Sequence, residues 1–382
     1  AEAVSKMMFG NGIGMEFNED INAEELFVPA YGSFVLELKN TKVIDFMGLD
    51  ATILGTTTEK ASIVIGDTEI TMEEILPEWE KPLEKIFPTR VRENIVGNPE
   101  IKPCEIKKAS APAIKIAKPK VFIPTFPGTN CEYDSARAFE KAGAEAKTLV
   151  IANMTVPMLE ASIEKMVKEI KQSQIIMIPG GFSAGDEPEG SGKFIAAVFR
   201  NPKVKEAVTE LLNDRDGLML GICNGFQALI KLGLVPYGEI RDMDAESPTL
   251  TYNNIGRHVS CLVDTKITST MSPWLWGTEV GDIHTIPVSH GEGRFIAPED
   301  KLKELIANGQ VATQYVDNQG RATYDIRFNP NGSMMAIEGI TSPDGRVLGK
   351  MGHSERIGNG LYKNVPGKKD QKIFESGVNY FK

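Results

Sequence analysis

The chain has 382 residues, of which 41% are hydrophobic and 25% are charged, a composition typical of a globular protein with about two domains. Its formal net charge of −10, with no basic stripe, argues against nucleic-acid binding. No apolar run approaches the ~20 residues that a membrane span needs, and no signal peptide is evident. The four cysteines predict neither a disulfide framework nor a zinc motif. We therefore expect a cytoplasmic protein that binds neither nucleic acid nor membrane.

Residues 1–98 are predicted to form a small α+β unit. Apolar runs and alternation predict strands over 25–29, 32–38, 51–58 and 61–65, and amphipathic spacing predicts a helix over 72–87. These elements are too few for a complete catalytic domain, and the chain opens as if inside a helix. We therefore expect residues 1–98 to be the end of a domain in a longer polypeptide, with removal of a short N-terminal extension as the alternative. Residues 99–119, rich in proline and lysine, are predicted to be a linker.

From residue 120 the pattern changes to alternating strands and helices. Strands are predicted over 121–124, 148–151, 175–178 and 218–222, and helices over 134–142, 155–171 and 202–212. This alternation predicts an α/β fold, a mostly parallel sheet with helices on both faces, whose ligands lie beyond the carboxyl ends of the strands. Further strands are predicted over 259–263, 284–288, 324–328, 333–340 and 347–351.

The strand predicted over 218–222 passes directly into a helix, and Cys223 lies at the turn. Gly221 and Gly225 stand two residues on either side, which is the pattern of a nucleophile elbow. At a helix N-terminus a thiolate is stabilised by free N–H groups and by the helix dipole. The alternative is that Cys223 is a small buried apolar residue. A partner base would favour the nucleophile.

Only four histidines are available as that base. His353 follows the last predicted strand, and in an extended segment Glu355 lies on the same side, where its carboxylate can orient the imidazole. A structural role for His353 is the alternative. His258 and His284 are predicted to be packing residues. His290, between glycines, is consistent equally with a loop that lines a ligand and with a plain turn.

An acyl-enzyme also needs N–H donors for its oxyanion. The backbone N–H groups of Gly180, Gly181 and Asn224 are the candidates, because they follow strand ends on the same sheet edge. The alternative for Gly180 and Gly181 is an ordinary turn between a strand and a helix.

Cys223, the two glycines and the pair His353–Glu355, in this order, make residues 120–382 resemble a class I (triad) glutamine amidotransferase domain. The run from Gly221 to Gln227 is a fairly specific mark of that family. Segments 126–132, 179–186 and 288–294 further resemble the glutaminase end of formylglycinamide ribonucleotide amidotransferases, and residues 1–98 are similar to the end of their synthetase domain. Two positions depart from that pattern: Ser354 replaces a usual proline and loosens the turn, and Ala184 replaces a usual aromatic residue and alters the pocket wall.

The resemblance implies a flavodoxin-like fold in which Cys223 attacks glutamine, His353 acts as acid and base, and Gln227 and His290 help to hold the substrate. It implies no cofactor or metal in the glutaminase domain. Ammonia passes to the N-terminal synthetase portion, where ATP and Mg²⁺ activate formylglycinamide ribonucleotide for purine synthesis. Two other functions stay open: a cysteine hydrolase of another amide or of peptides, and a non-catalytic binding module.

Overall fold

The computed structural model describes residues 1–38, 51–91, 97–102, 109–183 and 191–382. The described residues divide into two compact units, 1–89 and 90–382. The described part of the predicted linker is bonded to the second unit. There the N–H of Ala113 donates to Asp216 and the N–H of Ile116 donates to the carbonyl of Phe381.

In its described residues, the first unit has a four-stranded sheet and two α-helices. Its sheet has the order β2-β1-β3-β4, and a small core of Val4, Met8, Phe17 and Ile63 is buried beside it. In chain order its elements are α1 (Glu2–Asn11), β1 (Gly14–Phe17), a 3-10 helix (Ala23–Phe27), β2 (Gly55–Thr58), β3 (Ser62–Ile65), β4 (Thr68–Thr71) and α2 (Met72–Glu80).

Three predictions for the first unit are wrong. The strand predicted over 25–29 is replaced by the 3-10 helix. Residues 32–38 form no strand, and their apolar side chains are exposed, so the alternation reflects no buried face. The helix predicted over 72–87 ends at Glu80, because Pro82 has no backbone N–H with which to continue the helical hydrogen bonds.

The first half of the second unit follows the predicted alternation. Thr155 caps α4, its hydroxyl accepting from the N–H of Met158 at 3.3 Å. The elements are β5 (Lys120–Thr125), α3 (Glu132–Lys141), β6 (Glu145–Val150), α4 (Val156–Gln172), β7 (Ile175–Ile178), α5 (Lys193–Phe199), α6 (Pro202–Asn213), β8 (Leu218–Ile222) and α7 (Asn224–Leu232).

The remaining elements are more irregular. They are α8 (Leu234–Tyr237), β9 (Thr249–Tyr252), β10 (Val259–Ile267), β11 (Ile283–His290), β12 (Glu292–Ile296), α9 (Glu299–Ala307), β13 (Val311–Val316), β14 (Ile337–Thr341), β15 (Val347–Lys350) and α10 (Ile373–Asn379). Short 3-10 helices cover Pro273–Leu275 and Met334–Ala336, so the strand predicted from residue 333 begins only at Ile337. The strand predicted over 324–328 is wrong, because the Asp325 carboxylate accepts from the N–H of Arg327 and closes a turn there.

Within the described ranges, nine strands form one mixed sheet in the order β11-β10-β13-β14-β15-β8-β7-β5-β6. The run from β15 to β6 is parallel, and the strands from β11 to β15 pair antiparallel. A separate pair joins β12 and β9. The predicted α/β class is confirmed, and its parallel part places the ends of β7, β8 and β15 side by side. None of the described helices combines the length and the apolarity that crossing a membrane requires.

Candidate active site

Cys223 occupies a sharp turn between β8 and α7. Its backbone has φ 52° and ψ −107°, a conformation that a residue with a side chain adopts only under strain. A Cβ on Gly221 would lie 2.7 Å from the backbone of Gly225, and a Cβ on Gly225 would lie 2.0 Å from the carbonyl oxygen of Ile178. Both glycines are therefore required by the close packing of this turn, which has the geometry of a nucleophile elbow.

His353 and Glu355 follow β15, the strand next to β8. The Nδ1 of His353 lies 2.6 Å from Oε1 of Glu355, and both residues are at most 3% exposed. The backbone N–H of His353 donates to the carbonyl of Pro287 at 2.8 Å, which anchors the segment to β11. The carboxylate lies beside the ring as predicted, but the predicted extended segment is wrong: the N–H of Arg356 donates to the carbonyl of His353 at 3.2 Å, so a turn brings the two side chains together.

Gly180 lies beyond the end of β7, and its lack of a side chain leaves a gap for the His353 ring and the Cys223 side chain. A Cβ at this position would lie 2.7 Å from Cε1 of His353 and 3.4 Å from Cβ of Cys223. The imidazole and the cysteine side chain therefore face one small space at the carboxyl ends of three adjacent parallel strands. Any side chain at Gly180 would displace one of them.

The charges in this space support one another. Burial on its own lowers the pKa of His353, but the negative charges of Glu355 and Cys223 dominate and raise that pKa well above its ordinary value. Burial also raises the pKa of Glu355, yet the adjacent His353 ring outweighs it and keeps that pKa below the usual range. The site therefore favours the imidazolium form of His353 beside the carboxylate form of Glu355.

The candidate oxyanion donors lie around the sulfur. Gly181 lines the same cavity as Cys223 and has φ 147°, and a Cβ there would lie 2.6 Å from the carbonyl of Gly128. Asn224 is the first residue of α7, where the helix itself offers no acceptor for the backbone N–H. The carbonyl of Gly180 is occupied by the N–H groups of Asn130 and Cys131, at 3.1 and 3.2 Å.

Gln227 forms part of the cavity wall. Its Oε1 accepts from Nδ2 of Asn224 at 2.9 Å, and its Nε2 donates to the carbonyl of Glu292. The Oδ1 of Asn224 in turn accepts from the N–H of Ser183 at 3.3 Å. Both ends of the Gln227 amide are thus engaged by the protein, which fixes the wall opposite the cysteine.

His290 is buried and neutral. Burial, and to a smaller extent the charges of His353 and His258, lower its pKa to about 3. Asn253 uses its Nδ2 to donate to carbonyls, so its Oδ1, 3.1 Å away, accepts from Nδ1 of His290. The Nε2 of His290 is then an acceptor, and it has no hydrogen-bond partner among the described residues.

These residues line one small cavity beside the Cys223 side chain. Its lining consists of Gly181, Phe182, Ser191, Cys223, Gln227, Ser289, His290, Gly291 and Glu292. The Sγ of Cys223 lies 3.5 Å from the carbonyl oxygen of Ser289. A more open cavity in the first unit contains none of the predicted site residues; it is lined by Glu16, Phe17, Asn18, Glu19, Asp20 and Thr56.

The sequence analysis assigned no role to Cys131 and Arg356. Cys131 lies on the Nδ1 side of the His353 ring, and Arg356 contacts Cys131. The Sγ of Cys131 is 3.8 Å from Nδ1 of His353, and Nη2 of Arg356 donates to this sulfur at 3.1 Å. Burial lowers the pKa of Arg356, but the charge of Cys131 outweighs it and raises that pKa. Cys131 follows the end of β5, and β5 neighbours β7 in the sheet. Its position after a strand end was the one sequence signal that could have predicted its place in the site.

Two minor predictions have different outcomes. His284 is buried, as a packing residue should be, but His258 is exposed and its Nε2 lies 3.0 Å from Oγ of Ser289, so the packing prediction for His258 is wrong. The departure at Ala184 lies outside the described residues.

Comparison with known proteins agrees with this geometry. Residues 118–381 match the CobB/CobQ-like glutamine amidotransferase domain. The subunit PurQ of phosphoribosylformylglycinamidine synthase from Methanococcus maripaludis is 36% identical over 239 residues, which are 62% of this chain and 82% of that protein. The PurQ of Treponema denticola is 34% identical over 284 residues, 69% of this chain and 99% of that one. A solved structure of PurLQS from Thermotoga maritima is 27% identical with a TM-score of 0.50, and covers 69% of this chain and 100% of that one.

The fold and the family match define the second unit as a glutamine amidotransferase domain. The chain belongs to the CobB/CobQ-like glutamine amidotransferase family and, within it, to the PurQ subunits of phosphoribosylformylglycinamidine synthase.

Proposed function

We propose that this chain hydrolyses glutamine through a γ-glutamyl thioester on Cys223. We further propose that the ammonia serves the ATP-dependent amidation of formylglycinamide ribonucleotide to formylglycinamidine ribonucleotide. The observation that carries the proposal is the convergence of Cys223 and His353 on the gap at Gly180, with Glu355 bonded to the His353 ring. The names of the relatives support the choice of acceptor.

The proposed reaction has two steps. In the first, the Cys223 thiolate attacks the side-chain amide carbon of glutamine, and the tetrahedral oxyanion is stabilised by backbone N–H groups of Gly181 and Asn224. The His353 imidazolium then gives its proton to the leaving nitrogen, so that ammonia departs and the thioester remains. In the second step His353 takes a proton from water, the hydroxide attacks the thioester, and glutamate leaves as the thiolate is restored.

Substrate binding in this proposal uses the cavity beside Cys223. The unpartnered Nε2 of His290 accepts an N–H from glutamine, since a neutral ring with its proton on Nδ1 can only accept there. Gln227 acts through the wall that it holds in place, because its own amide is already bonded to Asn224 and Glu292.

We also propose that residues 1–98 are the end of a synthetase domain and that the acceptor chemistry takes place in a synthetase partner. Supporting this, residues 1–89 form a compact unit of their own, and the family match begins only at residue 118. ATP and Mg²⁺ belong to that partner in the proposal, and no residue of this chain is assigned to them.

The test is a reconstitution with the synthetase portion, ATP, Mg²⁺ and formylglycinamide ribonucleotide. We expect weak glutaminase activity from the chain alone and a strong, ATP-dependent increase in the complete mixture. Replacing Cys223→Ala should abolish amidation with glutamine but preserve amidation with ammonium chloride. Cleavage of peptides without cleavage of glutamine would instead support a cysteine hydrolase.

A further inference from the structure

The side chains of Cys131 and Glu355 both lie near Nδ1 of His353, and all three residues are of types that bind metal ions. One atom each from Cys131, His353 and Glu355 lies within 4.8 Å of the others, and all three residues are buried. A thiolate, an imidazole and a carboxylate form a donor set that Zn²⁺ readily takes. The catalytic proposal uses the contact between His353 and Glu355 but leaves Cys131 without a function.

A tetrahedral ion could be reached from this arrangement with one small adjustment. Zinc bonds of about 2.0–2.3 Å require neighbouring ligand atoms to be about 3.3–3.7 Å apart. The distance from Sγ of Cys131 to Nδ1 of His353 is 3.8 Å, close to this range. The Nδ1 of His353 and Oε1 of Glu355 are 2.6 Å apart. To bind the same ion, these two atoms must move apart by a further distance of less than about 1 Å.

Two further observations point to a ligand here. Oε2 of Glu355 is buried and has no hydrogen-bond partner among the described residues, so this carboxylate has an unused acceptor. Arg356 donates to the Cys131 sulfur at 3.1 Å. An N–H donor of this kind stabilises the thiolate and leaves the sulfur other lone pairs for a metal.

We propose that Cys131, His353 and Glu355 form an inhibitory Zn²⁺ site. Binding at Nδ1 releases the proton of that nitrogen, and that of the Cys131 thiol if it is protonated, to solvent. The ring then carries its remaining proton on Nε2, the nitrogen left for Cys223, and His353 no longer accepts a proton from the thiol or from water. The inhibition, though not the binding, rests on the proposed function.

The direct test uses Co²⁺ as a spectroscopic substitute for Zn²⁺, with tris(2-carboxyethyl)phosphine as the reductant. The Cys223→Ala variant keeps all three donors, and we expect it to bind one Co²⁺ with a thiolate-to-metal charge-transfer band that Zn²⁺ displaces. The Cys131→Ser/Cys223→Ala variant should lose the band, whereas Cys223→Ala/Cys261→Ser, which lacks a different thiol, should keep it. Absence of the band in Cys223→Ala, or equal bands in all three proteins, would overturn the proposal. Circular dichroism of each variant checks folding.

The functional test measures glutaminase activity against free Zn²⁺ set by a chelator buffer. We expect reversible inhibition of the unmodified chain, with the half-inhibitory concentration raised at least about 10-fold by Cys131→Ser and unchanged by Cys261→Ser. Each rate is compared with the metal-free rate of the same variant. Equal inhibition of Cys131→Ser and the unmodified chain would count against the site. If the chain had no glutaminase activity, the Co²⁺ spectrum would still decide whether the metal binds.

Discussion

The ammonium group of Lys350 lies 3.0 Å from Oγ of Ser354 and 3.2 Å from Oε1 of Glu338, and all three residues are at most 2% exposed. Lys350 also donates to the carbonyl of Gly352 at 2.7 Å, and Ser354 donates to Oε1 of Gln371 at 2.5 Å. This buried network holds the turn that carries His353. The predicted loosening of the turn by Ser354 is opposed by these two hydrogen bonds of its hydroxyl group.

Replacing Lys350→Met should lower the free energy of unfolding by about 3–5 kcal/mol, because the carboxylate of Glu338 is left buried without its cation. Chemical denaturation measures the change. The Glu338→Gln/Lys350→Met variant removes both charges and should recover part of the loss. A Lys350→Met protein as stable as the unmodified one would show that the network does not hold this turn.

Replacing Gly180→Ala should reduce kcat for glutamine hydrolysis at least about 100-fold, because the new methyl group pushes the ring of His353 out of line. Steady-state kinetics measures the effect. Gly358→Ala is the matched control, since its Cβ makes only an ordinary contact with Leu361 at 3.6 Å. Normal turnover in Gly180→Ala would mean that His353 does not need its present position.

The pKa of His290, lowered to about 3, makes stability depend on pH. Below about pH 6.5 the unfolded chain binds a proton at this residue while the folded chain does not. The free energy of unfolding should therefore fall as pH decreases from about 6.5 toward 3, by up to about 1.4 kcal/mol per pH unit from this group. Urea denaturation between pH 5 and pH 6.5 should show a smaller slope for His290→Asn, and no such change for the exposed His258→Asn. Identical slopes in all three proteins would contradict this.

Replacing Glu355→Gln should lower the pKa of His353, because the carboxylate is the largest of the charges that raise it. The ring then loses its proton at a lower pH, so the basic limb of the glutaminase pH profile should move to lower pH. We expect kcat to fall roughly 10²–10⁴-fold, since the ring also loses its orienting acceptor. Glu375→Gln, on an exposed helix position, is the control. If the basic limb did not shift in Glu355→Gln, the charge of Glu355 would not control the pKa of His353, and the prediction would be wrong.

The parallel half of the sheet and the elbow could be predicted from the sequence because local patterns determine them. Buried strands such as Leu218–Ile222 are uninterrupted apolar runs, and the glycines around Cys223 mark a turn that tolerates no Cβ. The antiparallel half was predicted less well. There the strand predicted over 324–328 falls in a turn, and in the first unit the alternation over 32–38 falls in an exposed segment. Alternation alone does not reveal whether a partner strand exists.

The pairing of His353 with Glu355 was predictable because the two residues are close in sequence, although a turn rather than an extended segment brings them together. Cys131 was not, because its approach to His353 depends on the order of β5, β7, β8 and β15 in the sheet. The bond from the Gln227 amide to Glu292 likewise depends on packing between α7 and β12, which carries no signal in the spacing.

The most direct test of the account is to trap the thioester. The protein with its synthetase partner is mixed with glutamine, quenched in acid within the first turnover, and digested for mass spectrometry. We expect one γ-glutamyl group on the peptide that contains Cys223, and neither adduct nor glutamate formation in Cys223→Ala. Glutamate produced at the normal rate by Cys223→Ala, or an adduct on another residue, would contradict it.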